Sequence, residues 1–502
     1  MAEPVIAVRG VSKAFSGVKA LDQIDFEMYP GEIHCLAGEN GSGKSTLIKV
    51  ISGVYEPNEG ELIVGGRSYS KLTPIEAIHH GIQVIYQDFS VFPNLTVMEN
   101  LALTSELSEK RKLVNWKRFR KIAEEAVSKI NFKIDLDARV ADLSVADKQL
   151  IAISRALLTD TKLIIMDEPT TALTDREVAA LFKVVRELQS RGIAILFVSH
   201  KLDEVFEISE RFTIIRNGKL VVTTKPEELD HKKFAQYMTG RDVSDESTAP
   251  TGEPGEVALE AVNLGLHEAF EDVSFALRKG EVLGITGLLG SGRTELALTL
   301  FGVFEPDGGE LKVGGKPVRL KGIRDAVANG IAYVPEDRLT EGLMLERSIA
   351  DNIVISEIDD LSTALGVTRP RRRQAEVDRW VEELSIATKN PDNAANTLSG
   401  GNQQRVVLAK WLATEPDVLI LNGPTVGVDI GSKHDIHVIL KDLADSGMGI
   451  IVISDDIPEL LRVTNRVLLL QEGRIVAEVD PATTTQQELS NLITGAAEGK
   501  EN

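Results

Sequence analysis

Cysteine is almost missing from this chain. Cys35 is the only one in 502 residues, which excludes an internal disulfide framework and a cysteine-built zinc site. It sits in an apolar strand-like stretch, where buried packing is its ordinary role. Long apolar runs are missing too: the best, from Gly192 to Val198, is strand-sized and far short of the roughly 18 residues that span a bilayer. Basic residues are outnumbered, with 56 Lys and Arg against 76 Asp and Glu, and a formal net charge of -20 argues against a nucleic-acid partner. The N-terminus shows no basic region followed by an apolar stretch, so no signal peptide is expected and the reading is cytoplasmic. What remains, 43% hydrophobic and 26% charged residues, is the balance of a folded globular chain.

What the chain has is a repeat. Gly38-Glu39-Asn40-Gly41-Ser42-Gly43-Lys44-Ser45 is a complete phosphate-binding P-loop, and Gly287-Leu288-Leu289-Gly290-Ser291-Gly292-Arg293-Thr294 repeats its frame with arginine for lysine. Phe26 pairs with Phe275, Gly31 with Gly280 and Gln87 with Glu336 at an offset of 249; Ser144 pairs with Ser399, Asp167 with Asn422 and His200 with Asp455 at 255. Six residues therefore enter between Glu336 and Ser399. The repeat predicts a first domain over 1–240, a polar and acidic linker over 241–256, a second domain over 257–495 and a tail over 496–502. In each half, apolar strands alternate with helical patterns, as in 163–166, 176–189 and 193–198, which implies an α/β fold with a parallel sheet. The region from about 93 to 142 reads as a mostly helical insert. Its stripe Trp116, Phe119, Ile122, Ala123, Ala126 and Ile130 is expected to pack in the core.

The first half carries the chemistry. Glycines in the P-loop let backbone N–H groups turn toward phosphate oxygens, and the helix that opens through Lys44, Ser45 and Thr46 adds its dipole. Lys44 would reach the outer phosphates and Ser45 would ligate Mg2+. Asp167 and Glu168 follow an apolar strand, so both carboxylates emerge where open α/β sheets place ligands. Asp167 would steady the metal, and Glu168 would act as general base toward water. A lone Gln87 or His200 at a strand end is ordinarily structural; behind a P-loop and an Asp-Glu pair, a catalytic role is expected. Phe15, upstream of the P-loop, is an adenine-stacking candidate or a core residue.

Together these motifs resemble an ATP-binding-cassette ATPase: Walker A at 38–45, Q-loop Gln87, which the resemblance also makes a metal ligand, Walker B Asp167-Glu168, and switch His200. Ser399-Gly400-Gly401-Asn402-Gln403 in the second half resembles the cassette signature. The resemblance implies two tandem nucleotide-binding domains, each a RecA-like core with an antiparallel β subdomain and a helical subdomain. Two fused cassettes without a membrane domain are similar to the ATPases of bacterial monosaccharide importers of the ribose, galactose and xylose type. That likeness implies ATP and Mg2+ as cofactors and a place on the cytoplasmic face of the membrane. It also implies two permease subunits, alike or different, and a periplasmic or extracellular solute-binding protein as an indirect partner. Related readings are a nucleoside importer and, in another class, a twin-cassette translation factor; the short acidic linker and damaged second site speak against the latter.

In the family, two cassettes close head to tail, and each ATP is capped by the opposite signature. On that scheme one site has Lys44, Ser45, Gln87, Asp167, Glu168 and His200 with Ser399 to Gln403. The other has Gly287, Gly290, Ser291, Gly292, Arg293, Thr294, Glu336, Asn422, Gly423 and Asp455 with the degenerate Ser144 to Gln149. Slow or absent hydrolysis is expected at the second. Sugar-importer ATPases usually keep an Asp-Glu pair there, which Asn422 and Gly423 have lost. Asp429, at the D-loop position, is expected to help join the halves; Thr174 is its counterpart in the first half.

Overall fold

The computed structural model describes residues 3–15, 18–86, 91–108, 115–170, 173, 175–199, 201–240, 247–363 and 366–498. Gln87, Thr174 and His200 lie outside them. The chain divides into two compact units, Met1–Val243 and Ser244–Asn502.

In the first unit, a six-stranded sheet runs in spatial order Lys219–Thr224, Arg211–Arg216, Ile33–Ala37, Ala194–Val198, Leu163–Asp167 and Ile82–Ile85. Its pairs are parallel except for the edge hairpin of Arg211–Arg216 with Lys219–Thr224. Ile33–Ala37 and Ala194–Val198 are buried along their whole length, which is why they read as continuous apolar runs instead of alternating ones. A four-stranded antiparallel sheet, Val18–Met28, Ile6–Phe15, Glu59–Val64 and Arg67–Tyr69, packs its apolar face over the P-loop helix Lys44–Ile51. The second unit repeats both sheets in the same order. Its six strands are Arg474–Val479, Arg466–Gln471, Val282–Thr286, Gly449–Ile453, Val418–Asn422 and Ile331–Val334.

The helical insert contains Val97–Ser108 and Trp116–Ser128, and its core joins Val97, Leu101, Phe119, Ala123 and Ala126 to Ile151. Trp116 departs from the expected stripe. It is 55% exposed, stacked edge-on against Phe119, because it opens its helix and has only one turn beside it. The polar stretch read as linker also has structure: the Thr248 amide donates to the Arg462 carbonyl at 3.0 Å, and Asn465 Nδ2 donates to Pro250 at 3.1 Å. Residues 247–250 are thereby docked on the second unit. Cys35 is fully buried and burial pushes its thiol up to about 12, leaving it inert.

Glu357 is a cost that the second unit carries. Burial, together with the nearby Glu376 and Asp360 carboxylates, pushes it up to about 7, and Arg379 offsets this only in part. The folded value lies above the ordinary 4.5, so stability falls as pH rises from about 4.5 to about 7 and stays reduced above. Glu357→Gln should stabilise the chain at pH 8 by about 1–2 kcal/mol, a figure discounted for partial exposure, and give no gain at pH 4.5. Urea denaturation at the two pH values checks this.

Candidate nucleotide-binding site

Parallel register decides what meets at the sheet edge. Leu36 and Asp167 both lie opposite Val198, and Ile85 lies opposite Met166, so the strands of the first unit finish together. The P-loop, the Walker B carboxylates and Ser199 therefore emerge at one edge. In the loop, a side chain on Gly38 would meet the Ile215 carbonyl at 2.2 Å, and one on Gly43 the Ala20 carbonyl at 2.6 Å. Gly43, at φ 114, caps the helix without any side-chain bond. The helix start is thus left open to an anion. Ser42 Oγ is buried with no hydrogen-bond partner, and Lys44 Nζ is folded back onto the carbonyls of Gly38 and Glu39 at 2.6 and 3.0 Å. Phosphate oxygens match both needs.

Burial and the adjacent Glu168 charge push the Asp167 carboxyl up, against the opposing pull of Lys44 and Lys49. Glu168 stands in the left-handed region at φ 49, with its amide donating to the Val198 carbonyl at 2.9 Å. A non-glycine residue held there is strained, a condition typical of functional positions. Its counterpart Gly423 keeps the same turn at φ 58 and the same bond, to Ile453 at 2.7 Å, without the strain.

One functional element escaped the sequence reading. Glu204 is buried and accepts from Thr170 Oγ1 at 2.5 Å and Ser199 Oγ at 3.0 Å, tying the loop after Walker B to the residue before His200. Glu459 does the same for Thr425 and Ser454, both at 2.7 Å, with His437 added at 3.0 Å. Burial would raise the Glu459 carboxyl, but these partners outweigh it and hold it below the usual range. The available signal was a glutamate retained at the offset of 255.

The second P-loop keeps its frame. A side chain on Gly287 would meet the Leu470 carbonyl at 2.1 Å, one on Gly292 the Ala269 carbonyl at 2.3 Å, and Ser291 Oγ is again buried and unpartnered. The side chains around the frame differ. Arg293 is buried, donates to the Gly287 carbonyl at 2.9 Å and forms an ion pair with Asp455. Asn422 lies by the Tyr333 phenol and pulls its pKa down, against the upward push of burial. The hairpin preceding the loop is also shorter: Val11 and Ile24 pair thirteen residues apart, but Leu264 and Val273 only nine. Phe15, 40% exposed and edge-on to Tyr55, stands on the part the second half lacks, so it is no core residue.

The two signature segments also differ. Ser399 opens the helix Gly400–Leu412 with no side-chain cap and only receives a bond from Asn402 Nδ2 at 2.9 Å. Gly401 passes so close to Ser432 that a side chain would meet its Oγ at 2.2 Å, and Gln403 is buried. Ser144, in contrast, caps its helix through the Asp147 amide and donates to the Asp147 carboxylate at 2.8 Å. Its hydroxyl is already committed. Asp429 is buried and caps Ile430–Asp445 through the Ser432 amide.

A glycine cradle at the carboxyl edge of a parallel sheet, built twice, defines a tandem P-loop nucleotide-binding protein. A profile of the ABC transporter family matches residues 21–171 and 270–426, one stretch in each unit. The chain belongs to that family: it consists of two fused cassettes, binds ATP, and is an ATPase coupled to transport. Similar proteins include the ribose import ATP-binding protein RbsA of Bacillus subtilis (strain 168), 38% identical, with 98% of this chain and 99% of the relative covered. That of Clostridium perfringens (strain 13 / Type A) is 40% identical, with 98% of each covered. A nucleotide-free ATP-binding cassette of known structure is 28% identical, covering 45% of this chain and 93% of its own, with a TM-score of 0.42.

Removing Glu204 or Glu459 leaves two buried hydroxyls without an acceptor. Glu204→Ala and Glu459→Ala should each lower stability by about 2–3 kcal/mol, read as a shifted urea midpoint.

Proposed function

We propose that this chain is the ATP-binding subunit of a monosaccharide importer, with one hydrolytic site built on the residues of its first unit. The observation that carries the single-site reading is the pairing of strained Glu168 with its strain-free counterpart Gly423. Length-spanning similarity to ribose import ATP-binding proteins supports the cargo class. Among the described residues no helix is long and apolar enough to cross a membrane, so the pore is assigned to two partner permease subunits. A solute-binding protein would deliver the sugar, and this chain would sit on the cytoplasmic face.

On this reading, Lys44 exchanges its two loop carbonyls for outer phosphate oxygens, and the backbone of residues 38–45 holds the phosphate chain. Ser45, exposed at the helix start, and the crowded Asp167 form an oxygen donor set that fits Mg2+, with Gln87 as a further ligand. When bound, the ion neutralises charge on the phosphates. Glu168 accepts a proton from water as its oxygen attacks the terminal phosphorus; the bond to the bridging oxygen breaks, giving ADP and phosphate. His200 is assigned to ordering the terminal phosphate. Ser399 to Gln403 are assigned to capping it, which the uncapped helix start at Ser399 supports.

Glu168→Gln should lower ATP turnover of the assembled transporter by roughly 10²–10⁴-fold while retaining ATP binding. Steady-state phosphate release in proteoliposomes measures it. Turnover left mostly intact would defeat the single-site reading.

A further inference from the structure

We infer that the second P-loop is a nucleoside diphosphate site that rejects the magnesium-bound triphosphate, with Asp455 standing where the terminal phosphate would be. This deepens the proposed function and rests on its reading of 287–294 as a nucleotide site.

The cradle for the inner phosphates is complete. Gly292 opens the eight-residue helix Arg293–Leu300 without a side-chain cap, and the buried Ser291 hydroxyl lacks a partner. Beyond the cradle, the charges are reversed from what a triphosphate needs. The cation of the loop, Arg293, is engaged by the Asp455 carboxylate. Next to Thr294 lies a cavity of about 470 Å³ lined by Tyr333, Glu336, Glu341 and Asn422. Its other basic group, Arg338, is committed to the Val426 and Gly427 carbonyls at 2.6 and 3.0 Å. A third phosphate reaching Arg293 would meet the Asp455 carboxylate, and one turned into the cavity would meet Glu336 and Glu341, so like charges repel on either course.

The metal that could screen this repulsion has no carboxylate donor at the Walker B position. Asn422 is neutral, and Gly423 offers no side chain. A Cβ on Gly423 would meet Glu336 Cγ at 3.1 Å and Val426 Cγ2 at 2.8 Å, so a glutamate there would require both side chains to shift. Glu336, at the position of Gln87, is left as an acidic donor, but without a Walker B carboxylate and with Asp455 on Arg293 the site fits a magnesium triphosphate less well than a diphosphate. The outer phosphate of a diphosphate shares Arg293 with Asp455.

Equilibrium dialysis of the full-length Lys44→Ala chain, which weakens the first site, tests this with radiolabelled ADP and ATP, each with Mg2+ or with EDTA. ADP should bind roughly tenfold or more tightly than ATP, and EDTA should change ADP binding by less than about twofold. Asp455→Asn, which keeps the shape and removes the charge, should raise the ATP-to-ADP affinity ratio by about tenfold. Magnesium ATP binding as tightly as ADP, or a ratio unmoved by Asp455→Asn, overturns the inference and leaves the nucleotide site standing. Failure of the Lys44→Ala chain to bind either nucleotide overturns the nucleotide site as well.

Discussion

The parallel register around Val198 is the constraint on which the first unit's chemistry depends. Its strand is opposite both the P-loop strand and the Walker B strand, and its carbonyl accepts the Glu168 amide. A slip of one residue would turn every side chain of a strand to the other face. It would also move the Glu168 carboxylate, the base in the proposed function, by about 3.3 Å, beyond hydrogen-bond reach of its target. Buried apolar faces on both sides of the sheet make that slip costly, so the core that stabilises the unit also aligns its chemistry.

The second unit meets the same constraint with other chemistry. Leu421 lies opposite Val452 and Ile285 opposite Ile453, so the frame is in register and the P-loop turn is rebuilt atom for atom in its close approaches. What changed are side chains at the mouth, among them Arg293, Glu336, Asn422, Gly423 and Asp455. Each alone is tolerable to the fold. Together they turn a site poised for charge separation into one holding an internal ion pair, where an arginine fork is satisfied by a carboxylate of its own unit.

The sequence made the sheets and the phosphate loops legible because both are written in local code: apolar runs of strand length and glycines at fixed spacing. The constant offset of paired motifs carried the duplication. It hid the hairpin before the second P-loop, where four residues are missing and Phe15 has no counterpart, because Phe26 and Phe275 restore the offset directly afterward. Glu204 and Glu459 went unread because a lone glutamate on a helix looks solvated; only the fold brings two hydroxyls to it. Trp116 was misplaced for the opposite reason, since periodicity marks a face but not whether a neighbour covers the helix end. The ion pair of Arg293 and Asp455 spans 162 positions, beyond any local pattern.

Retention of a phosphate-loop frame is weaker evidence of hydrolysis than it looks. A Cβ on Gly287 or Gly292 would lie 2.1 or 2.3 Å from the carbonyl oxygen of Leu470 or Ala269, so packing alone forbids replacing them. Gly38 and Gly43 are held by the same contacts in the first unit. These four glycines are therefore requirements of the fold, whatever the ligand, whereas Gly41 and Gly290 have open space beside them. The residue after the Walker B strand separates the two units more directly. Glu168 keeps a left-handed backbone that its neighbours would accept more readily as glycine, and Gly423 shows that the turn needs no glutamate. In the proposed function that carboxylate serves the adjoining phosphate cradle, and the second unit, with Gly423 in the same turn, has none to offer.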